Sequence, residues 1–300
     1  MIHYSQCPVC KGSSINPSFS ANDHTVSHAM FVVWHCDQCD VMFTQDVPEQ
    51  EGIGAYYVSE KYISHSDTQK GITNKLYHFI RKRTLLSKMR LIKNETGFEV
   101  GDMLDVGCGT GAFLHTMQQA GWKATGLEPD ERARTMARSL YNIEALPSTE
   151  IYHLPNHSYH AITLWHVLEH VHELHEYVEK LKDLLREKGY LFIAVPNYRS
   201  YDAKVYKENW AAYDVPRHLY HFSPQSMKEL MNLHGLQVKK IKPMWFDSFY
   251  VSILSEQYKN SKGNMIAAFF TGLLSNIKAF FNKEKCSSVI YVICKTDPHK

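Results

Sequence analysis

A chain of 300 residues with 44% hydrophobic content is long enough for one large or two modest domains around a sizeable core, which excludes a disordered polymer. Its formal charge of +2 is close to neutral, and apart from Arg81-Lys82-Arg83 the basic residues are scattered, which argues against a nucleic-acid partner. The N-terminus shows no charged region followed by an apolar core, and no apolar run approaches the ~20 residues of a bilayer span, so the expectation is a cytoplasmic chain without a transmembrane segment.

Four of the seven cysteines form two C-x-x-C units, Cys7-Pro8-Val9-Cys10 and Cys36-Asp37-Gln38-Cys39. Two such knuckles can surround one tetrahedral Zn²⁺ through four thiolates. The 25 residues between them fit a β-hairpin, because Met30 to His35 is strand-like. Disulfides are disfavoured in a reducing compartment, and a redox pair would need only one knuckle. Residues 1–47 are therefore predicted as a zinc ribbon that depends on its metal to fold. Cys108, Cys286 and Cys294 lie in apolar surroundings and are expected to be small core residues.

Pro48 to Gly54 breaks the pattern and reads as a linker, followed by an irregular aromatic segment with Tyr56, Tyr57, Ser59-Glu60-Lys61 and Tyr62. Ile72 to Ile92 carries apolar residues at helical spacing and a basic outer face. Residues 48–100 are thus a linker and a helical segment.

The most informative stretch is Met103-Leu104-Asp105-Val106-Gly107-Cys108-Gly109-Thr110-Gly111-Ala112-Phe113-Leu114. Met103 to Val106 reads as a buried parallel strand and the glycines as a tight turn. Ala112 to Gln119 then continues as a helix whose N-terminus faces a ligand. Glu128, 21 residues after Gly107, ends a second apolar run and can accept both hydroxyls of a ribose; Pro129 follows it. A dinucleotide fold uses G-x-G-x-x-G, whereas this turn is G-x-G-x-G preceded by Asp105, a carboxylate suited to a cationic amino acid moiety.

On these residues the chain resembles the class I S-adenosylmethionine-dependent methyltransferases, and more specifically bacterial small-molecule methyltransferases. Asp105 to Gly111 matches the family's first motif and Glu128 its ribose-binding acid. Tyr159 to Val171 matches its fourth-strand segment and Leu184 to Pro196 its fifth. The resemblance implies S-adenosylmethionine held by Asp105, Gly107, Cys108, Gly109, Gly111, Glu128, Pro129 and Trp165. It is strong over residues 100–200 and weak elsewhere.

From residue 101 strands and helices alternate, which predicts an α/β fold: a doubly wound, mostly parallel, Rossmann-like sheet. Seven strands are expected near 102–106, 123–127, 143–146, 160–165, 189–195, 236–244 and 287–294. Helices are expected near 111–120, 130–140, 172–187, 223–234 and 246–258, with Lys188-Gly189 stopping the third and Ser223-Pro224 capping the fourth. Residues 101–300 form the cofactor-binding domain, with a helical insertion near 246–281. Within it, Ile266, Phe269, Phe270, Leu273, Leu274, Ile277, Phe280 and Phe281 make one broad apolar stripe. It is expected to pack on the domain or on a second protomer, a peripheral membrane contact being the alternative.

His166-Val167-Leu168-Glu169-His170 fits the H-x-x-E-H of zinc peptidases. That pattern needs one continuous helix, yet Ala161 to Trp165 reads as a strand, so His166 is expected at the strand end and His170 beyond the turn. Methyl transfer is an in-line displacement at an already activated carbon, leaving the protein to align the acceptor and remove its proton. Imidazole suits that task near neutral pH. The candidates are His166 and, in Asp214 to Ser223, His218 and His221. Glu169 is a further cleft candidate. His153, His157, His160, His172 and His175 show no ligand spacing and read mostly as surface residues.

The expected function is methyl transfer to oxygen or carbon of a small-molecule or carrier-linked acceptor. Two rivals are an RNA methyltransferase docking through the ribbon, which has only Lys11 as a basic residue apart from histidines, and a non-catalytic cofactor-binding module.

Overall fold

The structure, a computed structural model, describes residues 1–57 and 72–296, with the backbone alone for 72–79. Ser59-Glu60-Lys61, Tyr62 and the side chains of Ile72, Leu76 and Phe79 lie outside the described residues. In chain order the strands are β1 (Ile15–Asn22), β2 (Met30–Cys36), β3 (Met42–Thr44), β4 (Asp102–Val106), β5 (Lys123–Leu127), β6 (Tyr159–Trp165), β7 (Leu185–Pro196), β8 (Tyr220–His221), β9 (Leu236–Pro243) and β10 (Ser288–Lys295). The helices are α1 (Ile72–Thr96), α2 (Ala112–Gln119), α3 (Glu131–Tyr141), α4 (Leu174–Leu184), α5 (Tyr201–Tyr206), α6 (Pro224–Leu233), α7 (Asp247–Lys259) and α8 (Met265–Phe281). No described helix is long and apolar enough to cross a membrane.

A six-stranded sheet has the order β5-β4-β6-β7-β10-β9. β4 pairs in parallel with β5 and with β6, setting Asp105 opposite Gly126 on one side and Thr163 on the other. A second sheet has the order β1-β2-β3-β8, with β1 to β3 antiparallel in the expected hairpin arrangement. The chain divides into two compact units. Among the described residues, one comprises 1–57, 168–175 and 194–291, and the other 72–167, 176–193 and 292–296. The first is centred on Phe31, Val33, Tyr206, Trp210 and Tyr213, and the second on Ile92, Met103, Met117, Trp122 and Phe192.

Three expectations change. The segment 143–146 is a single parallel bridge, Leu127 to Leu146, so among the described residues the main sheet has six strands. Asn142 adopts a left-handed conformation to end α3 and Ile143 donates its N–H to Ala137 O, so of the residues before Pro147 only Leu146 pairs with β5. Lys188-Gly189 does not stop a helix: α4 ends at Leu184 and Gly189 lies inside β7. A Cβ there would stand 2.9 Å from both Tyr159 O and Leu185 Cγ, so the glycine serves close approach. Of the two packing partners expected for the apolar stripe of α8, its own domain covers little: Leu273 is half-buried and Phe269 stacks on Phe249, but the rest is exposed, which leaves a second protomer or the membrane alternative. The buried residues of α8 are Ala268, Gly272, Ser275 and Ala279, while Phe269, Phe270, Leu274, Ile277, Phe280 and Phe281 are exposed.

Candidate functional site

In the second unit, β4 delivers Asp105 to the start of the glycine turn. Gly107, Gly109 and Gly111 have φ of 71°, 54° and 79°, the left-handed region where a side chain is strained. A Cβ on Gly107 would meet Val167 Cγ2 at 2.5 Å and one on Gly111 would meet Ala137 Cβ at 3.0 Å, whereas nothing lies within 4 Å at Gly109. The turn is thus packed below and open at its middle. Gly111 caps α2 without a side-chain hydrogen bond, leaving first-turn N–H groups for a ligand.

Glu128 ends β5 against the same turn. Its Oε2 accepts the Gly109 N–H at 2.8 Å and its Oε1 the Asp130 N–H at 3.0 Å, so the carboxylate is held while each oxygen retains a lone pair. Burial raises its pKa above the usual carboxylate value. Burial pushes Asp105 up to about 7, against the Thr163 hydroxyl, which donates to Oδ1 at 2.5 Å, and against the positive charge of Lys88. Cys108 is buried beside them and Pro129 is exposed. Trp165 packs edge-on to Phe113 and lies 4.0 Å from Lys88 Nζ, yet its buried Nε1 has no hydrogen-bond partner. A carboxylate with spare lone pairs, an orphaned indole N–H and an open glycine make a cradle suited to an adenosyl amino acid.

His166 follows β6 directly, with a left-handed φ of 59° uncommon for a non-glycine residue. Its neighbour Val167 is the residue packed on Gly107. Leu168–His170 is a separate 3-10 turn, so H-x-x-E-H spans no continuous helix, as expected.

In the first unit, Glu169, His170 and His218 each offer a ligand atom within 4.8 Å of the others. His170 Nδ1 contacts Arg217 O at 3.0 Å and Tyr57 Oη at 3.0 Å, and His218 Nδ1 contacts Ala212 O at 2.9 Å. A contact to a carbonyl requires N–H at Nδ1, which leaves Nε2 of each ring as the nitrogen that could accept a proton or bind a ligand. Burial and the adjacent His218 draw His170 down to about 4. His221 lies in β8, opposite Met42 of β3, with Nε2 3.1 Å from Thr44 Oγ1, and burial draws it down to about 3. The segment 214–223 is therefore no open loop: it adds a strand to the cysteine-rich sheet. His172 and His175, read as surface residues, instead meet Pro48 O and Pro8 O at 3.0 Å.

The four knuckle cysteines converge. Cys7 and Cys39 sulfurs are 3.6 Å apart, as are those of Cys10 and Cys36, and all four lie within 4.8 Å of one another. The knuckles repeat one backbone pattern: Lys11 and Asp40 are both left-handed, and Cys7 and Cys36 donate N–H to Gly12 O and Val41 O. The hydrogen bond with Cys39 pulls the Cys7 thiol down to about 5, burial pushes Cys10 up to about 11, and Cys7 raises Cys39. Thiols crowded in this way fit one tetrahedral metal ion, which would remove the cost of ionising all four.

A family model described as a methyltransferase domain matches residues 77–241. The chain belongs to that family. It is a class I S-adenosylmethionine-dependent methyltransferase. Among curated proteins it is 25% identical over 168 residues to a ubiquinone biosynthesis O-methyltransferase of Hydrogenovibrio crunogenus, covering 51% of this chain and 69% of that protein. It is 33% identical over 127 residues to the protein of the same name from Glaesserella parasuis, covering 38% and 54%. A solved Galdieria sulphuraria protein named for sarcosine dimethylglycine methylation shares the fold, with TM-score 0.51, 14% identity and 73% and 86% of the two chains covered.

The methyltransferase also places residues that sequence reasoning missed. Thr163 and Lys88 act on Asp105, and the periodicity of β6 and α1 marks neither. Arg217, in a segment already singled out, is 2% exposed and gathers Asp214 and Asp23. A groove of about 680 Å³ between α1 and α2 is lined by Arg81, Leu85, Met89, Ala112, His115 and Tyr141, and neither Asp105 nor Glu128 borders it.

Proposed function

We propose that this methyltransferase transfers the methyl group of S-adenosylmethionine to an oxygen, or an acidic carbon, of a small-molecule or carrier-linked acceptor. Support comes first from the pairing of the glycine turn with His166 within one unit, since Val167 locks the histidine's strand end to the turn. When bound, the cofactor supplies a methyl carbon activated by its sulfonium. The chain's own residues do the rest. Asp105 faces the cationic amino acid portion, Glu128 accepts ribose hydroxyls, and Gly107, Cys108, Gly109, Gly111, Pro129 and Trp165 complete the cradle.

His166 takes the acceptor's proton as the new bond to carbon forms and S-adenosylhomocysteine leaves. His218, whose Nε2 could accept a proton, is the second candidate. His221 is least suited, because a base with a pKa of about 3 has little driving force to accept a proton. The relatives named for ubiquinone biosynthesis O-methylation favour oxygen over carbon. One structural Zn²⁺ held by Cys7, Cys10, Cys36 and Cys39 stabilises the first unit and takes no part in the transfer.

Cell extract incubated with the protein and methyl-labelled S-adenosylmethionine should yield one labelled small molecule by mass spectrometry. With that acceptor, His166→Gln is expected to lose about 10²–10⁴ in turnover while keeping its affinity for S-adenosylhomocysteine. Label found only in RNA, or no label transfer at all, would support one of the rival readings. If His166, His218 and His221 variants all matched the parent, the proton would have to leave by another route.

A further inference from the structure

Helix α8 is inverted relative to an ordinary surface helix. Ala268, Gly272, Ser275 and Ala279 form its buried face. A Cβ on Gly272 would meet Phe249 Cα at 3.0 Å and its ring at 2.8 Å, so only glycine permits this approach to α7. Ser275 Oγ donates to the fully buried Asp202 at 2.6 Å, fixing the helix from the same side. At 100° per residue the large apolar side chains occupy the opposite arc. Ile266 is 71% exposed, Phe280 74% and Phe281 82%. With Met265, Phe269, Phe270, Leu274 and Ile277 this face presents on the order of 900 Å² at 150–250 Å² per large side chain, above the 300–600 Å² of the largest patch on a typical monomer. Phe249 stacks on Phe269 at 5.7 Å, and beside it on α7 Tyr250 is exposed, as are Trp245 and Phe246 just before it.

We propose that this face docks on an anionic lipid bilayer, α8 lying in the plane of the interface. Charge identifies the occupant. From Lys259 to Lys285 the chain has five lysines and one acid, Glu284, which is itself paired with Lys228 at 2.8 Å. Basic residues framing phenylalanine and tryptophan are the composition of an interfacial helix, each lysine gaining from anionic headgroups. A two-fold contact with a second copy would instead set the same lysine-rimmed patch against itself. At 17 residues α8 is too short, and too polar on the face it buries against the chain, to span the bilayer.

Sedimentation of the full chain with vesicles tests this without reference to methyl transfer. The chain should pellet with phosphatidylcholine vesicles containing phosphatidylglycerol, pellet less with phosphatidylcholine alone, and be released by salt. Phe269→Ser with Phe280→Ser replaces two exposed side chains, so it should keep its circular dichroism while its vesicle partitioning falls at least about tenfold. Lys278→Glu with Lys283→Glu should remove the preference for anionic vesicles. A chain that stays in the supernatant with both vesicles overturns the proposal, as does a phenylalanine variant that pellets like the parent. A concentration-dependent dimer, lost in that variant and seen without vesicle binding, would assign the face to a second copy instead.

Discussion

Arg217→Met is expected to cost about 3–5 kcal/mol of folding stability in urea titration, the range for stripping one partner from a buried charge cluster. The guanidinium is 2% exposed and bonds four oxygens: Asp214 Oδ1 and Oδ2 at 2.6 and 3.0 Å, Asp23 Oδ1 at 3.2 Å and Tyr56 O at 2.9 Å. Asp23, 1% exposed, also receives the N–H groups of Thr25, Val26 and Ser27. Methionine fills much of the volume yet leaves both carboxylates without their cationic partner. Backbone N–H groups and Arg217 hold Asp23, and Arg217 with the neighbouring histidines holds Asp214, below the ordinary carboxylate range despite burial. Their contribution is therefore present above the unfolded pKa near 3.8 and lost as pH falls through the lower folded values. Arg217→Lys should cost less, since it keeps the charge and loses the fork. A loss below 1 kcal/mol for Arg217→Met would show that the cluster does not hold the unit together.

Loss of the proposed zinc should have a comparable or larger effect. Metal analysis of protein purified without chelator is expected to give one zinc per chain, and none after Cys36→Ser with Cys39→Ser. Structural zinc contributes about 10–16 kcal/mol of apparent binding free energy in small zinc modules at neutral pH. In this chain the effect should extend beyond residues 1–47, because Thr44 of β3 bonds His218 O and His221 while Tyr198 and Ser223 bond Asp40 of the second knuckle. Chelation should therefore lower the melting temperature and expose Tyr198, Tyr213 and Tyr220 in near-ultraviolet spectra. Zinc-free protein with an unchanged melting temperature would contradict the assignment.

What the sequence reveals and what it hides divide by physical range. The glycine turn, Glu128 and the two knuckles are legible because each is a local requirement: a left-handed backbone, a carboxylate at a strand end, a pair of sulfurs on one tight turn. β8 is hidden because two residues carry no period. Arg217 with Asp23 is hidden because 194 positions separate partners that only the fold unites. Amphipathicity identifies an apolar side of α8 but not which side docks. The spacing of Ala268, Gly272, Ser275 and Ala279 carried that information, since small residues let two helices approach closely. The missing strand at 143–146 fails for a local reason, as Ile143 is spent on closing α3.

Calorimetric titration of S-adenosylhomocysteine tests the central claim, that the turn at Gly107 to Gly111 with Glu128 and Asp105 is an S-adenosylmethionine site. One molecule should bind per chain, and Glu128→Ala should weaken it by roughly 1–3 kcal/mol, about tenfold for each 1.4 kcal/mol, by leaving ribose hydroxyls unpaired. Burial pushes Asp105 up to about 7, and an ammonium group beside it would draw it back down. Binding should then release a proton below pH 7, with affinity falling by up to about tenfold per pH unit as the solution is acidified and levelling off above pH 7. Affinity unchanged in Glu128→Ala and flat with pH, or tighter binding of NAD, would contradict the account.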